Sequence, residues 1–258
     1  MRISGLKGRI LLWGMVVAIL SVVGCGGDGK EDPILRLSAD EALAKGQELM
    51  EKKKYSQAAE YFSHAFEVAP NSATGREALL LAADSFFLNG GTSNFIKAES
   101  KYQDFLNRFP TSDRADYVQF QVAKCLREQM LKPDRDQTAT RKALVAYETV
   151  QQLYPTSDHL EEVRAHIEDI RQNLAEHEYR VGWYNYRRRI YPAAISRLVD
   201  LSKDYPDYRE MDKVLFVLGM SFKKMKRPEE AAATFDELRS QYPDSPYRNK
   251  IPGAKKQT

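Results

Sequence analysis

Few side chains in this sequence have a type and spacing that suggest chemistry. Cys25 stands among glycines in LSVVGCGGDG, at the end of the chain's one strongly apolar run, and Cys125 lies in FQVAKCLREQ. A thiol can be half of a disulfide, a metal ligand, a nucleophile or a point of attachment, and each use implies a different compartment. His159, Glu162 and His166 are spaced so that a helix would set them on one face, as a metal-ligand set would stand. The same spacing arises readily in charged helices, so an exposed helix surface is the reading taken and no metal is expected. WYNYRRR, residues 183–189, sets aromatics beside three arginines, a combination suited to nucleic acid or a membrane. Trp183 and Tyr186 fit one packing stripe, however, with the arginines snorkelling or facing solvent, where part of that basic surface remains open to an acidic partner. No G-x-S-x-G, Walker loop, H-E-x-x-H or C-x-x-C occurs. No catalytic residue is assigned, and a binding role is expected rather than an enzyme.

The segment that positions Cys25 has the form of an export signal. Arg2, Lys7 and Arg9 precede the apolar run ILLWGMVVAILSVV, residues 10–23, which gives way to small residues. A helix of that length extends about 21 Å, short of a hydrocarbon core of about 30 Å, so a permanent span is not expected. VVGC resembles the bacterial lipobox, in which signal peptidase II cuts before a cysteine already carrying diacylglycerol on sulfur. On that resemblance residues 1–24 are a lipoprotein signal peptide and Cys25 is the lipidation site. Stable anchoring needs more than one acyl chain, which covalent diacylglycerol and an N-acyl lipid on Cys25 would supply; no other cofactor is expected. Gly26 stands where an Asp would, by resemblance, favour the inner membrane, so the periplasmic face of the outer membrane is the expected location. GGDGKEDP, residues 26–33, suits a flexible tether, assigned to residues 25–37.

Three of the 39 basic residues and none of the 36 acidic ones precede Cys25, so the chain beyond the signal is formally neutral. That excludes a basic footprint for nucleic acid. Cys125 has no second thiol to pair with inside the folded part, and its amphipathic surroundings mark it as a small buried residue.

After residue 38 the chain returns five times to an aromatic or apolar residue followed by proline and small polar residues: VAPNSA, RFPTSD, LYPTSD, DYPDYR and QYPDSP. Upstream of each proline stands a triplet at helical spacing: Ala58, Phe62 and Ala65; Ala98, Tyr102 and Phe105; Ala143, Tyr147 and Val150; Ala194, Leu198 and Leu201; Ala231, Phe235 and Leu238. Proline forces its predecessor out of helical geometry and so ends a helix, and the Asn, Ser, Thr or Asp beyond can cap the next. Alanine in the triplet lets antiparallel helices approach closely. Gly46, Gly182 and Gly219 precede the alanines of the first, fourth and last repeats at one fixed distance.

This pattern resembles the tetratricopeptide repeat. It implies an all-α fold, a right-handed α-solenoid of five tetratricopeptide-like helix pairs whose concave face comes from the first helix of each pair. Repeats two and three carry insertions, near GGTSN and in MLKPDRDQ. Ser38 with Glu41, and Asp158 with Glu161, have capping-box spacing. No proline interrupts residues 158–188, so one long helix is expected to bridge repeats three and four. The chain divides into N-terminal repeats 1–3 at residues 38–157, C-terminal repeats 4–5 at 158–247 and a disordered tail at 248–258.

LAEHEYRVGWYNYRRRIYPAAISRLVDLSKDYPD, residues 174–207, resembles the BamD family, lipoproteins of the outer-membrane β-barrel assembly machine. DRDQTATRKAL and FPTSDRADY support the match. The resemblance implies a non-enzymatic scaffold that binds the POTRA domain of BamA through its C-terminal repeats. It also implies contact with other assembly-machine lipoproteins and capture of unfolded outer-membrane protein precursors through the N-terminal half. Lys203 matches a basic position that in the family faces an acidic POTRA residue, so partner binding is expected there.

Repeat geometry puts Leu43, Gln47 and Met50, then Leu80, Asp84 and Phe87, on the leading helices of the first two repeats, where they would line a substrate groove for an extended peptide ending in an aromatic residue. The alternative is that Leu80 and Phe87 are inter-repeat core. A second reading of function is another outer-membrane tetratricopeptide-repeat lipoprotein, either a pilus secretin pilotin or a peptidoglycan synthase activator. Such proteins share the lipobox and repeats and would lack the LAEHE segment.

Overall fold

The computed structural model describes residues 33–253. Ten α-helices follow a short 3-10 turn at Pro33–Arg36: α1 (Ala39–Glu51), α2 (Tyr55–Val68), α3 (Ala73–Asn89), α4 (Thr92–Arg108), α5 (Ala115–Arg127), α6 (Thr138–Leu153), α7 (Leu160–Arg187), α8 (Tyr191–Asp204), α9 (Met211–Lys224) and α10 (Pro228–Gln241). Each packs on its sequence neighbours, and leading helices meet across repeats, α1 on α3 and α7 on α9. The described residues form a solenoid of five antiparallel helix pairs.

The second helix of every pair stops as proline chemistry requires. Ala69, Phe109, Tyr154, Tyr205 and Tyr242 all leave the helix with φ between −125° and −139°, and each is followed by proline. Each donates its N–H to the carbonyl of the third residue of its triplet, Ala65, Phe105, Val150, Leu201 or Leu238. All fifteen triplet residues are buried.

Turn serines tie one repeat to the next. Ser157 Oγ donates to Asp116 Oδ2 at 2.8 Å and Ser245 Oγ to Asp212 Oδ2 at 2.7 Å, while Thr74 Oγ1 donates to Asp40 Oδ1 at 2.7 Å. A carboxylate near the start of one leading helix thus takes a hydroxyl from the turn that follows its helix pair, Thr74 giving it from the first turn of α3, and this ties the stacked repeats together. The capping box of Ser38 and Glu41 forms in both directions. Asp158 and Glu161 form none: α7 begins one residue later than that box requires, with His159 as its N-cap, and the His159 N–H goes to Ser157 Oγ.

The long helix is α7, 28 residues or about 42 Å. Its first half, with Val163, Ile170 and Leu174, belongs to a core shared with repeats one to three; its second half, from Ala175 through Tyr179 and Trp183, belongs to the core of repeats four and five. The division of the core therefore falls inside α7 rather than at the turn near residue 158. Two terminal boundaries also differ from the sequence reading. Pro33–Arg36 is helical, and the Leu37 carbonyl receives a ring nitrogen of His64 at 3.0 Å, so the folded part begins before residue 38. Arg248–Lys250 forms a 3-10 turn that sets Ile251 into the C-terminal core at 4% exposure, so the tail is ordered to that point.

Candidate interaction surfaces

Cys25, the expected lipidation residue, lies outside the described residues. The groove candidates separate by position. Leu43 and Met50 on α1 are half-buried against core residues and Gln47 is exposed. On α3, Leu80 is 5% exposed within the inter-repeat core, and Phe87 is half-buried, its ring 5.5 Å from that of Phe95. Asp84 Oδ1 accepts from the Tyr102 hydroxyl at 2.5 Å and the Tyr117 hydroxyl at 2.9 Å, joining α3, α4 and α5. Leu80 therefore holds repeats together and does not floor an open groove, because a leading helix packs against both its own partner and the next repeat, while half-buried Asp84 ties three helices through its hydroxyl partners. Burial raises the Asp84 pKa against the pull of the two hydroxyls, and it pushes Tyr117 up to about 12.

The second half of the molecule repeats this device with added charge. Glu176 on α7 accepts from Tyr208, from Lys213 Nζ at 2.8 Å and from Arg180 Nε at 2.6 Å. Burial alone would raise the Glu176 pKa, but these donors outweigh it and the pKa is lowered. Lys213, buried at 8% exposure, also pairs with Glu210 and sits 4.2 Å over the Tyr179 ring. Sequence reading missed both networks; their only trace is a carboxylate and tyrosines roughly one repeat apart.

Lys203 is exposed in the last turn of α8. Beside it runs a shallow cleft lined by Glu168, Arg171, Gln172 and residues 204–208, whose turn is pinned by Gln172: Nε2 donates to the Asp207 carbonyl at 2.9 Å and Oε1 accepts from the Arg209 N–H at 2.9 Å. A wider open cleft of about 500 Å³, which sequence reading did not foresee, lies between α4, α5 and α6, with Val122, Leu126 and Val145 among Glu99, Gln103 and Arg141.

Other candidate groups are packed. The His159 ring stacks on Phe120 at 4.5 Å, while His166 lies 3.2 Å from Glu162 and against Tyr147, and no group of three among the described residues is arranged to hold a metal ion. Trp183 and Tyr186 stack at 5.5 Å on the C-terminal core, with the Arg187 guanidinium over the Trp183 ring. Cys125 is fully buried, and burial with the nearby Glu99 and Asp84 carboxylates pushes its thiol up to about 12.

A family model described as "YfiO: Outer membrane lipoprotein" matches residues 36–234, from the first turn into α10. Similar curated proteins bear the name outer membrane protein assembly factor BamD. That of Neisseria gonorrhoeae is 23% identical over 88% of this chain and 90% of its own length. Those of Haemophilus influenzae and Rickettsia prowazekii are 24% identical over 82% and 82%, and 25% identical over 95% and 94%. Solved structures with a similar helical stack include the TPR2AB domain of yeast Sti1, solved with pHSP90 (TM-score 0.46, 15% identical, covering 81% of this chain and 80% of that one). Another is the TPR protein YrrB (TM-score 0.33, 14% identical, 86% and 93%).

Proposed function

The chain belongs to the YfiO family of outer membrane lipoproteins, and on that premise we propose that it is a non-enzymatic scaffold of outer membrane protein assembly. In this reading Cys25 carries diacylglycerol and an N-acyl lipid that hold the chain at the periplasmic face of the outer membrane. The C-terminal repeats bind the POTRA domain of BamA, with Lys203 as a contact, alongside other assembly-machine lipoproteins. The first two repeats receive unfolded precursors. The observation that carries the reading is likeness over most of the chain: the family match runs over residues 36–234 and reaches both cores, and the relatives named as assembly factors align over most of their own length. A stack of helix pairs is suited to this work because it offers a long surface on which several chains can lie at once.

Extraction in mild detergent followed by identification of the co-purifying membrane protein tests the proposal. Recovery of BamA is expected; recovery of a secretin or a cell-wall synthase in its place would overturn it. Because Lys203 is exposed, Lys203→Glu should leave stability within about 0.5 kcal/mol of the parent while weakening BamA binding. Mass spectrometry of the N-terminal peptide checks the acyl groups on Cys25.

A further inference from the structure

Among the described residues, three other than glycine adopt left-handed backbone: Lys53 at φ 56°, Arg189 at φ 63° and Lys226 at φ 59°. They occupy one equivalent place. Each follows a leading helix, α1, α7 or α9, and each turn is closed by the same pair of hydrogen bonds. Lys53 N–H donates to Met50 and Lys54 N–H to Leu49; Arg189 to Tyr186 and Ile190 to Asn185; Lys226 to Lys223 and Arg227 to Phe222. This is the Schellman closure, whose left-handed position favours glycine because a Cβ is strained there. Three times the chain accepts that strain and sets a long cation at the apex of the turn.

The neighbours of these apices share their chemistry. Leading helices run parallel, so all intra-repeat turns lie on one edge of the stack. In the adjacent turns of repeats four and five, Arg187, Arg188, Arg189, Lys223, Lys224, Lys226 and Arg227 are exposed. Of these, Arg227 pairs with Glu230, and Arg188, Arg189, Lys223, Lys224 and Lys226 have no carboxylate at ion-pair distance among the described residues. Between the cations stand single exposed apolar side chains, Tyr184 at 61%, Ile190 at 49% and Met225 at 38%. The opposite edge of the same repeats mixes signs, with Asp204, Asp207, Glu210 and Asp244 exposed beside Lys203, Arg209 and Lys250. The C-terminal half is therefore uneven across its width, basic and apolar-tipped on one side, mixed in charge on the other.

We propose that the edge formed by residues 187–190 and 223–227 docks on an anionic phospholipid surface, with Tyr184, Ile190 and Met225 entering the headgroup layer. Unpaired cations answer the negative potential of such a surface, and isolated aromatic or aliphatic tips on protruding turns match a boundary that is wet on one side and apolar on the other. The proposal rests on membrane attachment through Cys25, which keeps this edge at high local concentration near a bilayer.

The lipidated, processed chain is reconstituted in vesicles of phosphatidylcholine alone or phosphatidylcholine with phosphatidylglycerol, carrying an environment-sensitive fluorophore at Met225→Cys or, on the opposite edge, at Leu153→Cys. The Met225 probe is expected to leave water and be quenched by brominated lipid several-fold more strongly on the anionic vesicles, an effect lost at about 0.5 M salt, while the Leu153 probe stays in water. The double substitution Arg189→Gly/Lys226→Gly separates docking from folding. Relief of the left-handed strain should raise its Tm while the quenching falls several-fold. Equal quenching on both vesicles, or a Met225 probe that leaves water only on addition of purified BamA, overturns the proposal. In either case the acyl groups still hold the chain on the vesicles, whereas failure of the anchor would release it to the supernatant.

Discussion

Gly219 on α9 lies so close to the ring of Phe235 on α10 that a Cβ at Gly219 would stand 2.5 Å from Phe235 Cε1. Gly46 meets Phe62 in the same way, again at 2.5 Å, and Gly182 meets the Leu198 side chain at 2.5 Å. Each contact joins a leading helix to the second residue of the triplet on its partner, so the glycine and the bulky residue form one device that sets how closely a pair can pack. In an exposed helix Gly→Ala gains about 1 kcal/mol of propensity. Here the ring is itself buried and has nowhere to retreat, so overpacking should win. Gly219→Ala is expected to lower stability by about 1–3 kcal/mol in urea unfolding, and a rise in stability would show that the ring moves freely.

The two tyrosine-bound carboxylates should titrate in opposite senses. Asp84, raised by burial, is favoured in its protonated form by folding, so its contribution is complete below the ordinary carboxylate range and is lost as pH rises through its folded pKa. Glu176, where Lys213, Tyr208 and Arg180 outweigh burial, contributes above that range and loses the contribution as pH falls through its folded pKa. Urea midpoints measured from pH 3 to 7 (about that span, where carboxylates titrate) should show Asp84→Asn gaining on the parent with rising pH. Glu176→Gln should lose ground over the same interval. Parallel curves for the two variants would remove the assignment.

What the sequence disclosed and what it hid divide along physical lines. Each proline acts on the residue before it, and each triplet follows from helical period, so Phe62, Tyr102, Tyr147, Leu198 and Phe235 were legible as core from spacing alone. Ser38 capped as its spacing implied; at Asp158 the helix starts one residue later, with His159 as its N-cap, so Glu161 falls out of the third position and the box did not form. The groove was not legible in full. A leading helix in a solenoid buries two stripes, and which residues stay open depends on the stacking rotation, so Leu80 reads like Leu43 yet lies inside, and Asp84 reads like Gln47 yet is half-buried between helices. The Glu176 and Lys213 pair joins α7 to α9 and carried no local signal.

Cys125 offers a direct measure of how tightly the N-terminal core closes. Its thiol, ordinarily near 9, is pushed up to about 12, chiefly by burial, which leaves roughly a thousandfold less thiolate at a given pH. Alkylation near neutral pH should be slow in the folded protein and complete in denaturant. Rapid labelling of the native chain would mean that repeats two and three open on the timescale of the reaction.

The precursor groove can be tested apart from folding because its candidates now occupy different surroundings. Leu80 is core, so Leu80→Ala should cost about 2–5 kcal/mol of stability and says nothing about binding by itself. Gln47 is exposed, and Gln47→Ala should change stability by less than about 0.5 kcal/mol. A photocrosslinker in place of Met50, half-buried one turn further along the same helix, reaches the space in front of α1 without opening the inter-repeat core. If the first repeats receive precursors, that probe should capture a barrel-derived peptide ending in an aromatic residue, and Gln47→Ala should weaken the capture. A folded, crosslinker-bearing protein that yields no adduct would move the precursor site away from α1, leaving the cleft between α4, α5 and α6, with Val145 at its rim, as the surface to probe next.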